Sequence, residues 1–167
     1  VGSEMCIRDS WDTFRAVHPL FTLLYPEVSE RVTQSILNAY DESGFMPEWA
    51  SPGHWECMIG NNSISLLTDA WMKGIRTICP EKALEAMIHQ TEARHPGISS
   101  VGRDGFGYYD RLGYVPYPEV HEATAKTLEY AYADWCVARF ADSIGRKEIA
   151  DTYYRKALNY RNLYYPD

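Results

Sequence analysis

Apolar positions recur along this chain at helical spacing, and Gly and Pro interrupt them. Val28, Val32, Ile36 or Leu37, and Tyr40 stand three and four residues apart, which is the period of one helix face. The same reading predicts six helices. The first covers about Trp11 to Tyr25, with Ser10 as N-cap and a kink at Pro19, because proline removes a backbone donor and crowds the preceding turn. Pro26 opens the second, and Gly44 closes it, a pairing typical of the two helix ends. The third covers about Cys57 to Lys73, the fourth Pro80 to Arg94, the fifth Glu122 to Ile144 and the sixth Arg146 to Tyr164.

Two loops separate the pairs. One holds Pro47, Trp49, Pro52, Gly53 and Trp55. The other, from about His95 to Glu119, is rich in Gly and Tyr, and loops of that length are uncommon unless they serve function. The first, third and fifth helices read as apolar or small almost all round, while the second, fourth and sixth are amphipathic with charges such as Glu30, Arg31, Lys82, Glu85 and Arg155. A helix apolar on every side belongs inside, and an amphipathic one outside. The fold class is therefore all-α: three αα-hairpins, with inner and outer helices alternating as in half of an (α/α)6 toroid. A helical solenoid would alternate similarly, but the sequence shows no fixed repeat. Half a toroid exposes inner surface to water, and Phe14, Leu67 and Trp135 are the residues expected there.

Composition narrows the picture. The chain has 167 residues and a formal net charge of −7, the size of one domain or a piece of a larger one. The acidic balance argues against a nucleic-acid binder, since phosphate neutralisation needs clustered Lys and Arg. No apolar run is long enough to span a bilayer. Cys6, Cys57, Cys79 and Cys136 show no metal or redox spacing and read as small buried hydrophobes. Residues Val1 to Asp9 follow no helical or strand period. They resemble a translated sequencing adapter, so residues 1–10 are set apart as a leader from a partial barrel domain over 11–167.

Polar groups on the inner helices are the candidate chemistry. Thr127, Ala131, Asp134 and Ala138 share one stripe of the fifth helix, and Glu129 neighbours Ala133 and Cys136. A carboxylate beside small residues must be paired, solvated or protonated. It either locks helices together or faces a sugar pocket. On the third helix, Met58, Asn62, Ser65 and Asp69 share a stripe, suited equally to interhelical hydrogen bonds and to sugar hydroxyls. Asp12 and Arg15 fall in the expected first turn of the first helix, where Asp12 would favour the helix dipole.

Several stretches, in order, resemble glycoside hydrolase family 92, the calcium-dependent exo-acting α-mannosidases. They are Trp11-Asp12-Thr13-Phe14-Arg15 with His18-Pro19-Leu20; Gly44 to Pro47 with Trp49; Cys57 to Gly60 with Asp69-Ala70; Gly113 to Pro116; Thr127 to Tyr132 with Asp134-Trp135-Cys136; and Asn159 to Leu163. The resemblance implies a β-sandwich followed by an (α/α)6 barrel, of which this chain would be the first half. It implies inversion by a carboxylic acid and a carboxylate, roughly 6.5–9.5 Å apart, and calcium gripping the mannose 2- and 3-hydroxyls.

The family's acid and base motifs do not occur here, so no catalytic residue and no metal ligand is assigned, and the isolated chain is expected to be inactive. The motif carries over Trp11 and Asp12 as residues lining the terminal-mannose pocket. Arg15, Asn62 and Glu129 join them as substrate-binding candidates by position on inner helices. The implied partners are a mannose-containing glycan, the β-sandwich and the second half of the barrel, and the implied location is secreted or periplasmic. Asn61-Asn62 and Ala123-Thr124-Ala125 depart from the family pattern, which bears on linkage preference and activity. Another α/α-barrel glycosidase or lyase, or a helical protein-binding scaffold, are the competing readings.

Overall fold

The computed structural model describes residues 10, 12–49, 54, 57–98 and 100–164. Its elements run in the order α1 (Val17–Leu24), α2 (Pro26–Ser43), α3 (Asn62–Met72), α4 (Pro80–Glu92), α5 (Phe106–Leu112), α6 (Ala123–Ser143), α7 (Lys147–Lys156) and a 3-10 segment (Ala157–Leu163). Helices α1–α2 and α6–α7 pack directly as hairpins, α3 and α4 follow one another in the chain and both pack on α6, and α5 lies within the long Gly/Tyr loop.

The interior is built where α3 meets α6. Every residue from Asn62 to Thr68 is buried, as are Ala70 and Trp71. Opposite them α6 presents Ala133, Val137, Ala138 and Ala141, all nearly inaccessible. Small side chains let the two backbones approach, so the Thr68 hydroxyl donates to the Cys136 carbonyl at 3.3 Å. The Trp71 and Phe140 rings pack at 5.4 Å. Helix α4 adds Leu84 and Met87 to the same core, and α7 adds Ala150 and Tyr153. A second cluster of Tyr109, Val115, Val120, Ala123 and Tyr130 seats α5 and its flanks on the start of α6.

Several element boundaries differ from the sequence reading. Residues 12–16 form turns, and the helix begins only at Val17. Ser10 is therefore not its N-cap, and Asp12 and Arg15 precede the helix. Pro19 is the third helical residue, where its missing amide would have no intrahelical partner, so no kink is needed. Helix α3 starts at Asn62 rather than Cys57. The sixth element tightens into the 3-10 segment after Lys156.

Helix α1 is largely exposed among the described residues, as the open flank of a partial barrel would be. Only His18 is buried, and Leu23 is 72% exposed. Trp135 is exposed as expected, whereas Leu67 is fully buried. Cys79 is exposed and Cys57 half-buried, so among the described residues only Cys136 behaves as a buried hydrophobe, and Cys6 lies outside them. Among the described residues no helix is long and apolar enough to cross a membrane.

Gly102 shows why the turn before α5 closes. An antiparallel bridge joins Arg94 to Gly102, and φ at Gly102 is +79°. A Cβ there would lie 2.2 Å from the Ala93 carbonyl oxygen, so only glycine fits.

Candidate functional site

Two of the five candidate residues, Glu129 and Asn62, meet at Gly60, and a third, Arg15, acts on Glu129 through its charge. The chain enters α3 through an irregular stretch that turns at Gly60, with φ +99°. A Cβ at that point would stand 3.1 Å from Glu129 Oε2 and 3.3 Å from Asn62 Nδ2. Glu129 thus leans from α6 over the bare backbone of Gly60, with the Asn62 amide beside it. Burial raises the Glu129 carboxyl above its ordinary range, and the positive charge of Arg15 pulls it back down. A half-buried carboxyl of this kind can accept or donate a hydrogen bond.

Asp12 and Arg15 are exposed on the turn ahead of α1. The Arg15 guanidinium lies 4.8 Å from the centre of the Phe14 ring. Phe14 stands 6.1 Å from Tyr132, and Tyr132 stacks on Trp135 at 6.4 Å. The Tyr132 hydroxyl is fixed by Ser65 at 2.8 Å. The turn and the open face of α6 therefore share one side of the chain, where ring faces and polar groups alternate. Trp11 lies outside the described residues.

Beside Gly60 is a cleft of about 180 Å³, bordered by Met58, Ser100, Gly102, Glu122 and Lys126. Met58 and Glu122 both hold left-handed backbone, with φ of 62° and 57°, a conformation that costs non-glycine residues energy. A larger groove lined by Tyr40, Glu85, His89 and Ile149 belongs to the outer helices and touches none of the candidate residues.

Two buried groups support this surface. Arg103 and Asp134 form an ion pair at 2.7 Å, with side chains 1% and 0% exposed. Tyr109 donates to Asp134 Oδ2 at 2.8 Å. Arg103 Nε donates to Asn61 Oδ1 at 2.9 Å, and Nη2 donates to the Tyr130 carbonyl at 3.1 Å. Asp134 on its stripe is thus a buried lock rather than a pocket group. Glu48, 4% exposed, sits at the start of α3 and accepts the Asn62 amide at 2.7 Å.

Sequence reading missed Glu48 and Arg103. The available signals were a charge within the apolar stretch Phe45 to Trp49 and an arginine enclosed by Gly102 and Gly105.

Residues 6–167 match the sequence profile of the glycosyl hydrolase family 92 catalytic domain. The chain belongs to glycoside hydrolase family 92. Within the family, it is 82% identical to an inverting mannosidase from Bacteroides thetaiotaomicron, with a TM-score of 0.94 over 95% of this chain and 22% of that one. An α-mannosidase from the same organism, solved with mannoimidazole, is 34% identical, with a TM-score of 0.86 over 94% of this chain and 20% of that one. A secreted glycosidase of undefined specificity from Arthroderma benhamiae is 26% identical over 142 residues, 79% of this chain and 18% of that protein. The family 92 chain described here therefore spans about a fifth of the length of these relatives. Its all-helical architecture is that of part of the family's α/α barrel.

Proposed function

We propose that this chain is the first half of the catalytic barrel of an inverting, calcium-dependent exo-α-mannosidase. The complete enzyme, exported to the periplasm or outside the cell, removes mannose from glycans. The observation that carries this reading is the meeting of Glu129 and Asn62 over Gly60, with the charge of Arg15 acting on Glu129, in a family 92 chain 82% identical to an inverting mannosidase.

In this reading the chain supplies binding rather than bond cleavage. Trp11 and Asp12 hold the terminal mannose, a role transferred from the family motif. Arg15 and Asn62 offer donors to sugar oxygens, and Glu129 accepts or donates according to its proton. Phe14, Tyr132 and Trp135 give apolar faces to the carbon side of the ring. The proton donor and the water-activating carboxylate come from sequence outside this chain, as do the β-sandwich and the second half of the barrel.

Calcium would bring Lewis-acid contact to the mannose hydroxyls in the complete enzyme. The described residues contain no group of three or more His, Cys, Asp or Glu able to hold a metal. In this reading the ion's ligands belong to the remainder of the enzyme.

The test is a chimera: the 82% identical mannosidase with this chain replacing its matching segment. It should release mannose from an aryl α-mannoside with inverted anomeric configuration and lose activity with a calcium chelator. Asp12→Ala and Glu129→Gln should each raise KM by about tenfold or more, since a hydrogen bond to a charged group contributes roughly 1.5–3 kcal/mol. A folded chimera without mannosidase activity, or one indifferent to both substitutions, would reject the proposal.

A further inference from the structure

Helix α3 has an unusual N-terminus. Its flanking residue Asn61 makes no side-chain cap bond to the helix. The Asn61 side chain is turned away, donating to the Gly102 carbonyl at 3.1 Å and accepting from Arg103 at 2.9 Å. The first amides of α3 still need an acceptor, because they have no intrahelical partner and are buried. Glu48 supplies it from another part of the chain. Its Oε2 accepts the Asn62 amide at 2.7 Å and the Ser63 amide at 3.4 Å.

The same residue reaches a second segment. Glu48 Oε2 accepts from the Ser10 hydroxyl at 3.3 Å. The Glu48 carbonyl accepts the Ser10 hydroxyl at 2.8 Å and the Ser10 amide at 3.2 Å. The Ser10 carbonyl in turn accepts the Phe14 amide at 3.0 Å, closing the turn that carries Asp12. Glu48 is itself held from behind. Gln90 donates to its Oε1 at 3.3 Å and bonds both backbone groups of Met46, at 3.1 and 3.3 Å.

We propose that Glu48 is a positioning residue that holds two sugar-facing segments, the Asp12 turn and the Gly60–Asn62 entry to α3, in one fixed arrangement. It touches neither substrate nor reacting atoms. The inference rests on the mannosidase reading for its functional consequence, but its structural content does not depend on it. Removing the carboxyl group frees the first α3 amides and withdraws the side-chain bond to Ser10, leaving the Asp12 turn on the Glu48 carbonyl alone, so both segments loosen together. The terminal-mannose contacts then loosen while the acid and base, outside this chain, are untouched. The expected signature is weaker binding with little change in turnover.

Two measurements test this. In the chimera, Glu48→Ala should raise KM for an aryl α-mannoside by about tenfold with kcat changed less than about threefold. Glu48→Gln should recover part of that loss, because its amide oxygen still serves the α3 amides. If both variants keep the parent KM and lose kcat only in proportion to unfolded protein, Glu48 is structural and the proposal fails.

In the 167-residue chain, Glu48→Ala should speed amide hydrogen exchange by about tenfold or more at both 12–16 and 61–64, with the centre of α6 still protected. The milder Ser10→Ala should affect 12–16 alone. Faster exchange at only one of the two segments in Glu48→Ala would overturn the shared-anchor claim. A chimera without activity but with linked exchange would reject the mannosidase reading and leave the anchor standing.

Discussion

Arg103 and Asp134 lie 2.7 Å apart with almost no exposure to water. The pair joins the loop ahead of α5 to the middle of α6, and through Asn61 it reaches the start of α3. Removing one partner leaves an uncompensated buried charge, which costs about 3–5 kcal/mol. Asp134→Ala or Arg103→Ala should lower the urea midpoint accordingly. The double replacement Arg103→Met, Asp134→Leu should be less destabilising than the sum of the singles, and additive losses would show that the pair does not act as a unit.

Gly60 should not tolerate a side chain. Its φ of +99° is unfavourable for any other residue, and an added methyl would crowd Glu129. Gly60→Ala is expected to cost about 1–2 kcal/mol in thermal or chemical denaturation. In the chimera it should also raise KM by displacing Glu129. Adding Glu129→Ala relieves the steric part and leaves the backbone part, so the double variant should be more stable than additivity predicts. Strict additivity would place the two residues apart.

The stability of the chain should fall as pH rises from about 4.5 to about 8. Burial pushes the Glu48 carboxyl from its ordinary 4.5 up to about 8, against hydrogen bonds from Asn62, Ser63, Ser10 and Gln90 that favour the charged form. Over that window the folded chain keeps a proton that the unfolded chain has released, so unfolding becomes easier as pH increases. The slope from this group is at most about 1.4 kcal/mol per pH unit. Glu129 shifts in the same direction. Glu48→Gln has no proton to lose and should flatten the profile measured by urea melts. A profile equally steep in that variant would assign the effect elsewhere.

The isolated chain should self-associate. Leu20, Leu23 and Leu24 are exposed on α1, as are Leu128, Tyr132 and Trp135 on α6, and large apolar side chains left in water favour association. Sedimentation should show concentration-dependent oligomers, and Leu23→Glu with Leu24→Lys should reduce them. A monodisperse monomer across the concentration range would contradict this.

Much of the fold was legible because helix period and Gly/Pro punctuation carry it. Pro26, Gly44 and Pro80 stand where helices begin or end, and the alternating charge content of the hairpins separated α2, α4 and α7 from α3 and α6. The start of α1 was not legible. Residues 12–16 have an apolar-polar pattern compatible with a helix, but the Ser10–Glu48 contacts draw the chain into turns there. Helix α5 was hidden because a short helix between glycines leaves almost no periodic signal.

The candidate site was legible only in part. Glu129, Asn62 and Arg15 stand out because they are polar groups on otherwise apolar stretches; the structure brings Glu129 and Asn62 together at Gly60, and Arg15 acts on Glu129 by charge. Glu48 escaped because its partners are backbone amides and residues far along the chain, and no local spacing encodes such contacts. For the α6 stripe, the sequence left open whether its carboxylate locks helices or faces a pocket, and the enclosure of Asp134 by Arg103 and Tyr109 decides for the lock.

Helix α6 packs on α3, α4, α7 and the 3-10 segment, yet it spans only Ala123–Ser143. During synthesis, which proceeds from the N-terminus, both α3 and α4 leave the ribosome before their main support exists. Until α6 emerges, the faces carrying Ile64, Leu67 and Met87 have nothing from that helix to cover them. This stretch of nascent polypeptide is where a chaperone would find its longest opportunity.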